Sequence, residues 1–422
     1  MLSKQENELL TRVGPGTPCG ELVRRYWQPV CFAAELTAAR PTKRVKVLHE
    51  ELVVYRDQPG TYGCLAEHCA HRGASLAYGF VEEGGLRCAY HGWQYDACGR
   101  CLEQPFEPKG STYRERVRQQ AYSAQTLAGL VFIYMGPQPA PLLPRWDVLV
   151  REDGQRILEQ HPVLQCNWLQ AMENSADVTH TYFLHGHTLY QQGVRGRQVD
   201  YYYRPFEQYG FQPFEWGLLK SWRYGSGGSA LGEERGGGNP LIFPNILRVV
   251  QHPGQVMHWR VPIDDTHTNI FLVWFFPNKT GTPEKQPEHP PIREVARQKT
   301  PDGEYPMDNF PSQDKMAWET QGPLFDRSAE HLGASDRGIV LYRQMLREQI
   351  AVVQRGGEPL GTIRDPAKNQ LIELPTWIAE VDLEKFAGPD RAVPTRNTMD
   401  EFFDERHEVF EVPFGAARPL GG

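Results

Sequence analysis

The stretch from Cys69 to His91 constrains this chain more than any other. It reads Cys-Ala-His-Arg-Gly-Ala-Ser-Leu, then a linker, then Cys-Ala-Tyr-His-Gly-Trp. Two pairs, Cys69 with His71 and Cys88 with His91, stand sixteen residues apart. Two thiolates and two imidazoles can hold one metal ion or one small cluster. A zinc site uses the same ligand types, but zinc spacings more often pair cysteine with cysteine and histidine with histidine. Here each segment carries one of each. That pairing suits a [2Fe–2S] cluster in which two cysteines hold one iron and two histidines the other, because each loop then gives one ligand to each iron.

A second candidate site follows at 173–187, Glu-Asn-Ser-Ala-Asp-Val-Thr-His-Thr-Tyr-Phe-Leu-His-Gly-His. Asp177 and His180 are three apart and share a helix face. His185 lies five beyond His180, about 140° further round an ideal helix. For both histidines to reach one ion, the helix must widen or end between Thr181 and Leu184, and a π-bulge does this. Two histidines and a distant carboxylate form the facial triad of non-haem Fe(II) oxygenases. The chosen carboxylate is Asp314, in Ser-Gln-Asp-Lys-Met-Ala-Trp-Glu at the start of a predicted helix. Asp308, Glu319 and Asp326 are the alternatives. A pair of buried, hydrogen-bonded histidines is the bland reading of the same residues, and His187 is expected to be solvated or a neighbour of the site.

The rest of the chain limits the class. Its 422 residues allow two or three domains, and 23% charged residues is ordinary for a globular protein. A net charge of −7 with no Lys/Arg-rich tract argues against nucleic acid as a partner. No apolar run reaches membrane-spanning length. The charged start Met-Leu-Ser-Lys-Gln-Glu lacks a signal-peptide apolar region, so a cytoplasmic location is expected. Eight scattered cysteines do not suggest a disulfide scaffold, and Cys98-Gly-Arg-Cys101 reads as a turn with free thiols.

Apolar spacing predicts short helices over 3–12 and 20–27, within an N-terminal brace of residues 1–44 packed on a later domain. Strand-like alternation begins at Val45 and continues to about Pro137, giving a small all-β domain over 45–145. The segment Pro137–Pro144 is its boundary. Residues 146–422 read as a second domain. It has a helix over 167–185, strands at 199–206, 211–223, 241–250, 255–263 and 268–277, and a surface excursion over 278–312. Helices follow over 313–321 and from Ser335/Asp336 to about Val353. The glycines at 225–238 lack the GK[ST] of a phosphate loop. The tail after 375 is polar and irregular.

The Cys/His motif with its flanking His-Arg-Gly and Tyr-His-Gly-Trp matches the Rieske pattern. Followed about ninety residues later by D-x-x-H-x₄-H, it resembles the α subunit of Rieske non-haem iron aromatic ring-hydroxylating oxygenases. Arg-Val-Gly-Pro-Gly-Thr-Pro near the start, Cys-Asn-Trp-Leu-Gln at 166–170, and Gln313-Asp314 through Asp336-Arg337 are similar to the phthalate 4,5-dioxygenase branch, which includes aromatic O-demethylases. Cys19 departs from that branch, where methionine is frequent.

The resemblance implies an α+β fold, with an all-β Rieske domain and a helix-grip catalytic domain built on an antiparallel sheet. It implies one [2Fe–2S] cluster on Cys69, His71, Cys88 and His91, and one mononuclear non-haem Fe(II) on His180, His185 and Asp314. It also implies a homotrimer or stacked trimers, in which Asp177 bridges His91 of one chain to His180 of the next. A separate reductase, with flavin, a plant-type cluster and NAD(P)H, is expected, since no dinucleotide fingerprint or four-cysteine ferredoxin motif is found in the chain. The implied activity is O₂-dependent hydroxylation or O-demethylation of an aromatic, carboxylated substrate. Arg204, Arg223 and Arg248 lie on strands expected to line the pocket, and an arginine there can clamp a carboxylate. A Rieske electron carrier without oxygenase activity is the alternative. It would need only the first domain and leave about 270 residues and the second histidine pair without a role.

Overall fold

Aromatic and β-branched runs set the strands, because such side chains pack well on a pleated surface. The computed structural model describes residues 2–57, 60–195, 199, 202–203, 206–224, 239–251, 254–295 and 298–375. The first lobe holds β1 (Gln28–Phe32), β2 (Thr42–Val47), β3 (Glu50–Arg56), β4 (Tyr62–Ala66), β5 (Phe80–Glu82), β6 (Gly85–Arg87), β7 (Gln94–Tyr95), β8 (Cys101–Glu103), β9 (Ala121–Leu127) and β10 (Leu130–Tyr134). Six of these form an antiparallel sheet in the order β1-β10-β9-β4-β3-β2, and β5-β6-β7-β8 form a smaller one. The two Cys/His segments are the connection after β4 and the turn between β6 and β7.

The N-terminal segment differs from a purely helical brace. Helices form at Lys4–Thr11 and Pro18–Val23, but β1 then joins β10 as an edge strand. All five residues of β1 are buried, and Pro29 is tolerated because β1 is an edge with a bulge between Pro29 and Cys31. The first-lobe sheet therefore reaches back to Gln28, well before residue 45. The Cys98–Cys101 segment is a turn, closed by the Cys98 and Arg100 N–H groups on Asp96 Oδ1.

The second lobe holds β11 (Gly154–Leu164), β12 (Phe206–Phe214), β13 (Gly217–Tyr224), β14 (Leu241–Ile242), β15 (Ile246–Gln251), β16 (Gly254–Pro262) and β17 (Thr268–Pro277). They make one antiparallel sheet in the order β11-β17-β16-β15-β14-β13-β12. The strand predicted over 211–223 is broken by a turn at Glu215-Trp216, so that its first four residues end β12 and the rest belong to β13. Of the strand predicted over 199–206, only Phe206 is extended among the described residues. Both faces of β16 are buried, although the alternation of Val256, His258 and Arg260 with Met257, Trp259 and Val261 reads in sequence as a strand with one buried face. Met257, Trp259 and Val261 face the first lobe, and Phe132 meets Trp259 edge-on at 5.9 Å. Val256, His258 and Arg260 face the catalytic helices.

Helix Trp168–Ser175 starts where Asn167 accepts a bond from the Leu169 N–H, 3.1 Å. Its buried Glu173 is held by Arg327 Nε and Nη2, each at 2.7 Å, and by Arg343 Nε at 2.6 Å. Arg343 also pairs with Glu330. The long helix Arg337–Gln354 approaches the same place through Gly338, where an added Cβ would lie 2.1 Å from the Ala176 carbonyl. The residues leading into Asp177 are thus fixed from two sides. Among the described residues no helix is long and apolar enough to cross a membrane.

Burial penalises the Glu173 charge, but Arg327 and Arg343 outweigh it and hold the carboxyl below its ordinary 4.5. Its stabilising contribution is therefore complete above that value and is lost as pH falls through the folded-state pKa. Glu173→Ala leaves two buried arginines short of an anion and is expected to cost about 3–5 kcal/mol. Urea unfolding at neutral pH checks this, and the gap to the parent should narrow in acid.

Candidate metal centres and active site

Each Cys/His loop is closed by the same pair of backbone bonds. The Cys69 N–H donates to Ala74 O (2.9 Å) and the Gly73 N–H to Cys69 O (2.8 Å). The Cys88 N–H donates to Trp93 O (2.8 Å) and the Gly92 N–H to Cys88 O (3.0 Å). Gly73 and Gly92 have φ of +74° and +73°, which glycine adopts without a steric cost. The repeated geometry sets both cysteines inward and brings the His71 and His91 rings to 4.6 Å. Trp93 stacks on His71 at 4.2 Å, and Tyr95 Oη lies 3.2 Å from Cys69 Sγ. Burial and the neighbouring His91 and Arg72 hold His71 below its usual pKa, which favours the neutral imidazole a metal requires.

The donor atoms decide between zinc and a cluster. Tetrahedral zinc places four ligand atoms about 3–4 Å from one another. Among the described residues, only His180, His185 and Asp314 bring three or more such atoms within 4.8 Å of each other. The Cys/His atoms instead form a thiol pair and an imidazole pair. Two irons bridged by sulfide fit that arrangement.

In the second lobe the chain winds residues Thr181–His187 as a π-helix. The wider turn brings the His180 and His185 rings to 5.2 Å. Asp314, in the first half of the helix Phe310–Glu319, puts Oδ1 3.4 Å from His185 Nε2. That oxygen is buried and has no hydrogen-bond partner, as a waiting metal ligand would be. Each histidine is oriented through Nδ1. His180 Nδ1 lies 2.9 Å from Asp177 Oδ2, and His185 Nδ1 lies 2.8 Å from Gln313 Oε1. Gln313 in turn donates to Met307 O at 2.7 Å. Both Nε2 atoms are left for a metal. Burial works against the Asp177 charge, but the His180 ring and the His180 and Thr179 N–H groups hold the carboxyl far below its usual range.

The other carboxylates considered are engaged elsewhere. Glu319 pairs with Lys299 and Lys315, Asp326 caps Ser328, and Asp308 accepts from Asn309. His187 Nδ1 meets the Tyr203 hydroxyl at 3.1 Å and is outside the triad.

Residues 26–120 match the family model described as the Rieske [2Fe-2S] domain, and 294–382 match one described as LigXa C-terminal domain like. The chain is 39% identical over 393 residues to the 5,5'-dehydrodivanillate O-demethylase oxygenase subunit of Sphingobium sp., covering 89% of this chain and 87% of that one. It is 32% identical to the phthalate 4,5-dioxygenase oxygenase subunit of Pseudomonas putida, covering 86% and 89%. The chain belongs to the Rieske non-haem iron ring-hydroxylating oxygenases. It is an oxygenase α subunit of the phthalate dioxygenase and dehydrodivanillate O-demethylase-like branch, in a multicomponent system. A solved oxygenase and ferredoxin complex of carbazole 1,9a-dioxygenase shares its fold, with a TM-score of 0.57 at 20% identity over 87% of this chain and 98% of that one. Its cofactors are a Rieske [2Fe–2S] cluster and, at the His/His/Asp site, a candidate mononuclear iron.

The three arginines expected in this Rieske oxygenase's pocket fare differently. Arg204 lies outside the described residues, and of Arg223 only the place on β13 is described. Arg248 is fully buried on the opposite face of the sheet from the iron triad. It stands across from Met257 and is bonded to Asp147 and Gln255. The structure does not bring it to the site, because strand parity turns it toward the first lobe.

Two other cations do face the triad. Lys220 and Arg260 are 5% and 3% exposed. Burial lowers Lys220 to about 8, with Asp177 and Asp314 opposing the drop. Burial likewise lowers Arg260 to about 10, opposed by Asp314. Both sit where sequence suggests a solvent-facing strand position. The signal for Arg260 was available in His258 and Arg260 alternating with apolar residues in a strand too apolar overall to have a wet face.

Asp314→Ala is expected to lose the mononuclear iron while the visible spectrum of the [2Fe–2S] cluster persists. Metal analysis beside the absorption spectrum checks it. Full iron retention in that variant would reassign the third ligand.

Proposed function

We propose that this oxygenase acts on an aromatic acid, by ring hydroxylation or by O-demethylation of a ring methoxy group. The observation that carries the reading is the convergence of His180, His185 and a buried, unpartnered Asp314 oxygen, with both imidazoles held at Nδ1. The names of the two relatives, a dehydrodivanillate O-demethylase and a phthalate dioxygenase, support a substrate that joins an aromatic ring to a carboxylate. In this reading Cys69, His71, Cys88 and His91 hold the cluster, and His180, His185 and Asp314 hold iron. The bound iron supplies O₂ activation beside the substrate. Gln313 and Asp177 keep each Nε2 aimed at the metal.

Asp177 is proposed to join the two redox centres across a subunit boundary, from His91 of one chain to His180 of the next, in a homotrimer or stacked trimers. A heterologous contact of this kind closes into a ring. The reductant is a separate NAD(P)H-dependent reductase with flavin and a plant-type cluster, which places the chain in the cytoplasm. The cluster lobe is taken as 45–145 with β1 added from the 1–44 brace, and the catalytic lobe as 146–422.

An oxygen-uptake screen of aromatic acids with a surrogate reductase tests the substrate class. Neutral aromatics consumed in preference to every acid would remove it. Asp177→Asn tests the junction. Both metal centres should survive, the cluster should still accept electrons, and substrate-dependent turnover should fall by more than about 100-fold. Trimers mixed from Asp177→Asn and His91→Ala chains should recover activity, because one junction then joins two intact partners. Mixed trimers no more active than either parent would confine the path to one chain.

A further inference from the structure

We infer that Lys220 and Arg260 form an anion subsite that binds the carboxylate of the substrate beside the iron triad. The inference rests on the aromatic-acid reading and says which groups of this chain read the acid. The two residues come from different strands, β13 and β16, yet share one face of the catalytic sheet. Lys220 stands opposite Phe211, whose ring meets Gly338 of the long helix on that side. Arg260 lies over the Trp318 ring at 5.5 Å, on the same helix as Asp314. Each senses the Asp314 charge, and Lys220 also senses Asp177 and Arg260, which agrees with the pair lying on the triad's side of the sheet.

Neither cation has a carboxylate within ion-pair distance among the described residues, although Asp314 and, for Lys220, Asp177 stand further off. Arg260 Nε and Nη1 are buried without a hydrogen-bond partner. Lys220 makes no hydrogen bond or ion pair among the described residues. A buried charge left unpaired is costly, and other buried cations of this chain are satisfied: Arg327 and Arg343 by Glu173, Arg248 by Asp147, and Arg156 by the Val148 and Arg151 carbonyls and Gln286. With Asp177 and Asp314 counted against the two cations, divalent iron on two neutral imidazoles would leave a surplus of positive charge. An anion is the missing partner.

The surroundings fit a carboxylate on a flat apolar body. Leu164, Val256, Ile270, Leu272 and Trp318 form a packed apolar cluster beside the pair, between sheet and helices. His258 Nε2 and Trp318 Nε1 are further buried, unpartnered polar atoms on that side. A small cavity of ≈ 30 Å³ lies on the other face of the sheet, among Trp27, Trp146, Trp216 and Trp259, and is too small for an aromatic acid.

The test uses the holoprotein, with cluster and iron loaded, under anaerobic conditions that prevent turnover. Calorimetric titration with methoxy- and hydroxybenzoates, each beside its primary amide, reads the charge preference. The parent should bind at least one acid about ten- to a hundredfold more tightly than its amide, the range of a charge-assisted hydrogen bond. Lys220→Met and Arg260→Gln should each erase most of that preference while amide binding, iron content and the cluster spectrum stay unchanged. Arg260→Lys should keep part of it, which separates a lost charge from a lost fold. Variants that retain the full preference overturn the subsite and leave the aromatic-acid reading standing. Variants that lose iron instead of the preference overturn it too, because the cations would then serve the metal. A parent that binds amides as tightly as acids, or binds no acid of the panel, removes the aromatic-acid reading and the subsite with it.

Discussion

The site depends on one departure from regular helix. On an α-helix the side chains at 180 and 185 diverge by about 140° and cannot share an ion. Winding Thr181–His187 as a π-helix removes that divergence. Such a turn persists only where its surroundings over-determine it. Here Asp177 fastens its start, taking bonds from the Thr179 and His180 N–H groups and from the His180 ring. Gln313 fastens its end through His185. Behind both stands the Glu173–Arg327–Arg343 network, which sets where the preceding helix ends. The metal geometry is therefore a consequence of buried electrostatics some residues away from any ligand.

Burial alone does not tell a structural charge from a binding one. Arg248, Arg327, Arg343, Arg260 and Lys220 are all nearly or fully buried. The first three have carboxylates within ion-pair distance. Their desolvation cost is offset inside the fold, and they act as fasteners. Arg260 and Lys220 lack such a partner, and both face the triad. The accounting of partners, rather than the depth of burial, assigns the role. It also explains why Arg248 was a poor choice for the pocket despite being an arginine on the right sheet.

Local spacing made the metal ligands readable. C-x-H and C-x₂-H encode two loops of one design, and the structure gives each loop the same backbone closure with a left-handed glycine four residues after its cysteine. The need for a widened turn between Thr181 and Leu184 followed from angles alone. What spacing could not give was anything decided by long-range pairing. β1 was hidden in a segment that begins as helices, because its strand character comes from pairing with β10, about a hundred residues later. The wet or dry character of β16 was hidden for the same reason. A strand with His258 and Arg260 on one face looks half-exposed until helices arrive from positions 168–175 and 310–319 to cover it. Lys220 and Arg260 were missed because charge on a strand is ordinarily a solvent signal.

The layout of the two centres agrees with the proposed junction between chains. In the cluster lobe the cysteine end is buried, whereas His71 and His91 lie at the surface beside exposed Tyr90 and Tyr113. In the other lobe Asp177 and His180 retain 13% and 19% side-chain exposure, with Phe183 projecting nearby. Aromatic side chains left in water around two polar openings have the character of surfaces that meet a partner. The openings also differ in kind, since one offers an imidazole and the other a carboxylate already bonded to an imidazole. A contact between unlike patches on identical chains is heterologous, and it forms a ring where the rotation closes and a filament where it does not. The trimer proposed above is one closed form of such a contact, a ring in which every His91 meets an Asp177.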